Sequence, residues 1–243
     1  MAAGFTVGHQ VMAAMGMTLR VVVPPHPLIG HWLSMLREAS TPSALYGTAM
    51  AELGRWLSYE ALRDWIPHRT IPIDAEGGPT EGQVVDASVP LLVVPMLRAG
   101  LGLWQGAQGV LPAATVAHVG LARESAAVEP NWYLDTLPAA ISDRSGLLIF
   151  TAQIASGASL AALLERLGAL GVKGRRLRVV TAVAANPGLK LLGERFPELT
   201  IYCACIDAEL DAASGQLRPG IGNPERRLFA VLGPDSACFP ASA

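Results

Sequence analysis

Apolar residues recur along this chain in two rhythms, and the change between them divides it. Between residues 26 and 65 they fall at helical spacing: Leu28, Ile29, Trp32, Leu33 and Leu36, then Tyr46, Met50, Leu53, Leu57 and Ala61. Spacing of three and four gathers such side chains on one face of a helix. It predicts helices over residues 26–39 and 43–65, with Thr41-Pro42 as a start signal and Ile66-Pro67 as a stop. Beyond residue 90 the apolar residues come instead in short, largely apolar stretches, at 90–95, 114–121, 147–150, 177–183 and 199–206. Runs of that length predict strands covered on both faces. Helical patterns follow most of them: one ending near Leu111, one carrying Leu160, Leu163, Leu164 and Leu167 and closing at Gly168 and Gly171, and one over 188–195. Strands alternating with helices imply an α/β fold with a doubly wound, mainly parallel sheet, preceded by N-terminal helices.

The remaining stretches modify this plan. Residues 19–25 are extended and broken by prolines, and 133–137 predict a further strand. Residues 69–89 are polar around Glu76-Gly77-Gly78-Pro79, which reads either as a β-arm of two short strands or as a mobile arm. No internal repeat or linker appears, so residues 19–231 are expected to form a single domain. The uncharged segment 1–18 is expected to be poorly ordered and 232–243 to be a loose tail.

Composition removes several function classes. With 51% hydrophobic residues in 243, the chain can bury a large core. Only 16% of residues are charged and the net charge is −2, with no basic patch, which argues against nucleic acid as a partner. No apolar run reaches the length of a membrane-spanning helix. Three cysteines and five histidines show no metal-binding spacing. Cys203 and Cys205 lie two apart in a predicted strand, so they are expected to face the same side as buried thiols. Residues 1–17 lack the basic start of a secretory signal, and the expected location is the cytoplasm.

Candidate chemistry centres on the loop between the run at 147–150 and the helix that follows. A loop feeding a helix N-terminus offers unpaired N–H groups to an anion. Ser156 and Ser159 add hydroxyls, and Gly157 permits close approach. The same features describe an ordinary small-residue loop that binds nothing, and the Gly-Lys-Ser/Thr ending of a P-loop is missing. Arg98 and Arg123 each follow a strand, where open α/β sheets bind ligands. Together they could clamp a polyphosphate; singly, each reads as a surface charge.

Collinear motifs make the pattern specific. They are Pro25-His26-Pro27-Leu28-Ile29, residues 52–63, Pro95-Met96-Leu97-Arg98-Ala99-Gly100-Leu101-Gly102, Gly120-Leu121-Ala122-Arg123, Val183-Ala184-Ala185, Ile201-Tyr202, Ile206-Asp207 and Pro219-Gly220-Ile221-Gly222. From about residue 21 to 229 the chain resembles uracil phosphoribosyltransferases. His31-Trp32-Leu33 and Leu53-Gly54-Arg55-Trp56-Leu57 look most like the cyanobacterial and plastid branch. The resemblance implies the phosphoribosyltransferase fold, a homodimer, and conversion of uracil and phosphoribosyl pyrophosphate (PRPP) to UMP and pyrophosphate with Mg²⁺. It places Arg98 and Arg123 at the diphosphate, and Thr151, Ala155, Ser156, Gly157, Ala158, Ser159 and Asn223 at PRPP. Leu217, Gly222, Asn223 and Pro224 fall at the uracil pocket.

The chain departs from the family pattern at that chemistry. The PRPP loop normally reads Asp-Pro-Met-Leu-Ala-Thr-Gly-Gly-Ser, so Thr151 stands for the aspartate that grips ribose, and Ala158 for a glycine. Alanine is costly there if the position needs positive φ. Asn223-Pro224 stands for Asp-Ala, losing a charge and an N–H. A lost charge-assisted hydrogen bond costs roughly 1.5–3 kcal/mol, or about one to two orders of magnitude in rate. The resulting expectation is a weakly active or inactive family member serving as a binding, scaffold or regulatory subunit for a protein partner. The alternatives are an active uracil phosphoribosyltransferase and, third, a phosphoribosyltransferase for another base or a nucleotide sensor.

Overall fold

The computed structural model describes residues 19–122, 130–211 and 214–229. The segments 1–18 and 232–243, Arg123 and Cys238 lie outside these. In chain order come β1 (Arg20–Val22), α1 (Pro27–Arg37), α2 (Ser43–Leu62), β2 (His68–Ala75), β3 (Gly78–Val85), β4 (Leu91–Leu97) and α3 (Gly100–Ala107). Next are β5 (Thr115–Val116), β6 (Val119–Ala122), β7 (Asn131–Asp135), β8 (Gly146–Ile154), α4 (Ala158–Ala169) and β9 (Leu177–Ala185). The last are α5 (Asn186–Arg195), β10 (Thr200–Asp207), β11 (Glu209–Leu210), β12 (Leu217–Arg218) and α6 (Pro224–Phe229).

One sheet runs β1-β10-β9-β8-β4-β6-β7, with β5 beside β4. Every ladder in it is parallel except β6–β7. Helices cover both faces. Buried residues of α1, α2 and α3 form one apolar layer with Leu148, Phe150, Val180 and Tyr202. Buried residues of α4 and α5 form the other with Leu147, Ile149, Val179 and Ile201. This is the doubly wound plan. Two glycines let α2 and α3 cross at backbone contact: a Cβ on Gly54 would fall 1.9 Å from Leu103 O, and one on Gly106 1.6 Å from Ala51 O. The polar stretch takes its two-strand form, with β2 and β3 paired antiparallel from His68↔Val85 to Ala75↔Gly78.

Several boundaries differ from the sequence expectation. The helix expected over 43–65 ends at Leu62, and the strand expected at 133–137 runs from Asn131 to Asp135. The run 114–121 splits into β5 and β6, because His118 turns aside to bond Thr136, whose Oγ1 accepts from His118 N at 2.7 Å. The most consequential difference is β8, which continues past residue 150 to Ile154 and so places Thr151 inside a strand.

At that level the alternation of faces slips on three neighbouring strands together. Ala152, Ala182 and Ala204 belong to the α1–α3 layer, yet Val183 and Cys205 lie on that side too, while Ile154, Ala184 and Ile206 lie on the other. The ladders keep their register, with Thr151↔Thr181↔Cys203 and Gln153↔Val183↔Cys205. Thr151 Oγ1 donates to Gln153 O at 3.3 Å, and Thr181 Oγ1 to Val183 O at 3.1 Å, local bonds that turn the backbone. Cys203 and Cys205 therefore face opposite layers, contrary to the simple alternation rule. Cys203 is fully buried, and burial pushes its thiol up to about 12.

Candidate active site

Three loops meet at the carboxyl ends of β4 and β8 and enclose a cleft of about 290 Å³. The first leaves β4 through a cis Leu97–Arg98 peptide and enters α3 at Gly100. A side chain at Gly100 would strike the sheet, since its Cβ would lie 2.4 Å from Phe150 O. Arg98 is turned toward α6. Its Nη2 donates to Glu225 Oε2 at 2.8 Å and its backbone N–H to Glu225 Oε1 at 3.4 Å. The hydrogen bond to Glu225, and then that residue's charge, raise the Arg98 pKa further. Tyr133 stands nearby, its hydroxyl pKa raised by burial and then by the Glu225 charge. Its ring lies over Gly120, where a Cβ would come within 2.2 Å.

The second loop joins β8 to α4. Gly157 caps the helix with φ 80°, and a Cβ there would lie 3.0 Å from Gly188 O. The positive φ thus falls on a residue that is glycine in this chain. Ala158 is the first helical residue, where alanine carries no conformational penalty. The cost expected at Ala158 does not arise. Thr151 and Ser159 line the cleft, while Ala155, Ser156, Gly157 and Ala158 form the turn between them.

The third loop, Gly220 to Glu225, is held by side chains. Asp207, buried, accepts from Gly220 N–H at 2.9 Å and from Arg37 at 2.6 Å. Tyr46 Oη and Arg227 Nη1 each donate to Ile221 O at 3.2 Å. Arg227 also donates to Glu38 O at 2.7 Å and stacks 4.1 Å over the Tyr46 ring. Burial raises the Tyr46 hydroxyl pKa, against the lowering effect of Arg227. Asn223 Oδ1 accepts from Arg226 N–H at 3.1 Å, making Asn223 the N-cap of α6 with Pro224 in the first turn. The Asn-Pro pair is therefore also a helix start.

Of the residues expected at the site, Thr151, Ser159, Gly222, Asn223 and Pro224 share this cleft, and Arg98 joins it through Glu225. Leu217 does not line it. It is buried, pairing with Leu210 across the β11–β12 hairpin, and its neighbour Gln216 reaches the cleft instead. Arg123 lies outside the described residues. Gln153, Gln216 and Glu225 were missed by sequence reasoning. For Glu225 a signal existed, an acidic residue in the first turn of a helix opened by Asn-Pro. Among the described residues no group of three or more His, Cys, Asp or Glu could hold a metal ion.

The uracil phosphoribosyltransferase family profile matches residues 23–231. The chain belongs to the uracil phosphoribosyltransferase family. It is 45% identical over 213 residues to the uracil phosphoribosyltransferase of Synechococcus elongatus, covering 88% of this chain and 98% of that one. To the chloroplastic uracil phosphoribosyltransferase of Arabidopsis thaliana it is 39% identical, covering 87% of this chain and 71% of the relative. The AQ2163 protein from Aquifex aeolicus is structurally similar, with a TM-score of 0.77 at 30% identity over 87% of this chain and 98% of that one. The cyanobacterial and plastid resemblance of the motifs thus agrees with these relatives. No helix among the described residues is long and apolar enough to cross a membrane.

Proposed function

We propose that this chain is an active uracil phosphoribosyltransferase, making UMP and pyrophosphate from uracil and PRPP. The reading rests on one observation: the loops after β4, after β8 and before α6 converge on one cleft at the carboxyl ends of the strands, where open α/β sheets bind ligands. In the transfer, a bond forms between uracil N1 and ribose C1′, the bond from C1′ to the diphosphate oxygen breaks with its electron pair leaving on pyrophosphate, and the N1 proton passes to water. The α4 N-terminus offers backbone N–H groups with Ser156 and Ser159 to a phosphate. Arg98 serves the leaving diphosphate, and the backbone from Gly222 to Pro224 the base. Magnesium is taken as arriving with PRPP. The cyanobacterial relative, 45% identical across 98% of its length, is named a uracil phosphoribosyltransferase, which favours this reading over an inactive subunit.

A specific observation supports the second reading, a slow or inactive binding subunit. Thr151 spends its hydroxyl on Gln153 O, and Pro224 has no N–H to give a base. Purified protein with uracil, PRPP and Mg²⁺ decides between them. UMP formation at about 1 s⁻¹ or faster is expected, and a folded protein that forms none overturns the proposal. The reading also carries a cytoplasmic homodimer, whose mass light scattering on the purified protein would measure.

A further inference from the structure

Among the described residues that line the cleft, Glu225 is the only ionisable one, and it is bound to Arg98. Both partners are fixed from behind. Arg98 stands at the end of β4, and Glu225 in the first turn of α6, which Asn223 caps and Arg227 ties to the α1–α2 connection. The carboxylate receives the guanidinium and the backbone N–H of the same residue. Phe229, also on α6, places its ring 5.8 Å from the Arg98 guanidinium carbon. The side chains are 48% and 44% exposed, so an incoming anion can reach them. A diphosphate that engages this guanidinium competes with a carboxylate already there, because the two anions repel when they share one cation.

We propose that Glu225 is a positioning residue that holds Arg98 until a diphosphate takes its place, so that its negative charge weakens diphosphate binding and sets the working PRPP concentration. The inference rests on the proposed function only in assigning Arg98 to the diphosphate. Once displaced, Glu225 is the one carboxylate among the described residues lining the cleft, which also contains Thr151.

The test is calorimetric binding of inorganic pyrophosphate, in magnesium-containing buffer, to the wild-type chain, Glu225→Gln and Glu225→Ala. Both variants are expected to bind about two- to fivefold more tightly, the scale of a half-exposed ion pair. The KM for PRPP is expected to fall by a similar factor, with the change borne by KM more than by kcat. Pyrophosphate binding that is unchanged or weaker in both variants overturns the proposal, as does the absence of pyrophosphate binding in all three proteins. A fall in kcat without tighter binding also overturns it, since that would make Glu225 part of the chemical step. Failure of the proposed function looks different: no UMP is formed while the binding difference remains.

Discussion

The loop before α4 and the loop before α6 meet at one cleft but keep their shapes by different means. The first relies on backbone. Its turn depends on Gly157 at φ 80°, pressed against the Gly188 carbonyl, and the residue that departs from the family pattern, Ala158, simply begins a helix. The second relies on side chains: Asp207 on Gly220 N–H, Tyr46 and Arg227 on Ile221 O, Asn223 on Arg226 N–H, and Glu225 on Arg98. A loop fixed by backbone absorbs side-chain changes without altering the charge it presents. A loop fixed by side chains passes each change on to the site. On the proposed function, the departures in the second loop, together with Thr151 inside β8, are thus where activity is expected to respond most.

The largest effect is expected from Thr151→Asp. Thr151 is half-buried in the cleft wall with its hydroxyl bonded locally to Gln153 O, so on the proposed function an aspartate there would reach the ribose hydroxyls. One charge-assisted hydrogen bond felt in the transition state is worth roughly 10- to 100-fold in kcat/KM. Steady-state assay with PRPP and uracil reads it. A variant no faster than wild type would show that the missing carboxylate is not what limits this site.

Gly157→Ala comes next and attacks the backbone-held loop directly. Left-handed backbone costs a non-glycine residue about 1–2 kcal/mol, and the new Cβ meets Gly188 O at 3.0 Å. For a chain of this size that loss lowers Tm by roughly 2–8 °C. Ala158→Gly, one residue on, removes a good helix former from the first turn and is expected to cost at most about 1 kcal/mol. If thermal melts show Ala158→Gly more damaging than Gly157→Ala, the backbone account of this loop is wrong.

Asn223→Ala probes the side-chain-held loop. It removes the α6 cap, worth about 1 kcal/mol, while Asn223→Asp keeps the acceptor and adds a charge suited to a helix N-terminus. Hydrogen exchange at the Arg226 amide should accelerate roughly fivefold in the alanine variant and not in the aspartate variant.

Much of this was legible in the sequence. The strands at 91–97, 177–185 and 200–207 and the helices at 27–37, 43–62 and 158–169 each carry their own apolar period, and that period follows from burial alone. What escaped depends on contacts between distant segments. The slip at Thr151 needs three strands turning together, and alternation within one strand puts Cys203 and Cys205 on the same side. Glu225 lies 127 residues from the arginine it binds, and no local pattern pairs them. The cost at Ala158 is conditional on a positive φ, and sequence does not show which of two neighbouring residues carries it. Leu217 was placed in the pocket by motif alone, although its apolar side chain is satisfied within the β11–β12 hairpin and the core.

The smallest effect comes from an ion pair remote from both loops, which makes it the control for the others. Arg178, near the amino end of β9, is buried beside the Trp65 ring and donates to Ala61 O, Tyr202 Oη and Asp64 Oδ1, the last at 2.8 Å. That hydrogen bond holds the Asp64 carboxyl below its ordinary 3.8. A carboxyl whose folded pKa is depressed contributes stability that is complete above its unfolded value. The contribution drains away as pH falls through the lower folded value. Asp64 is 55% exposed, so solvent screening keeps the contribution under about 1 kcal/mol. Asp64→Asn should therefore flatten the acid side of the stability curve below about pH 4, read by denaturant unfolding at stepped pH. It should leave the Thr151→Asp gain in kcat/KM unchanged, because sites without shared partners add. A gain that shrinks in the double variant would mean that the cleft and the far end of the sheet are coupled, and that its two loops cannot be treated as a local contest between backbone and side chains.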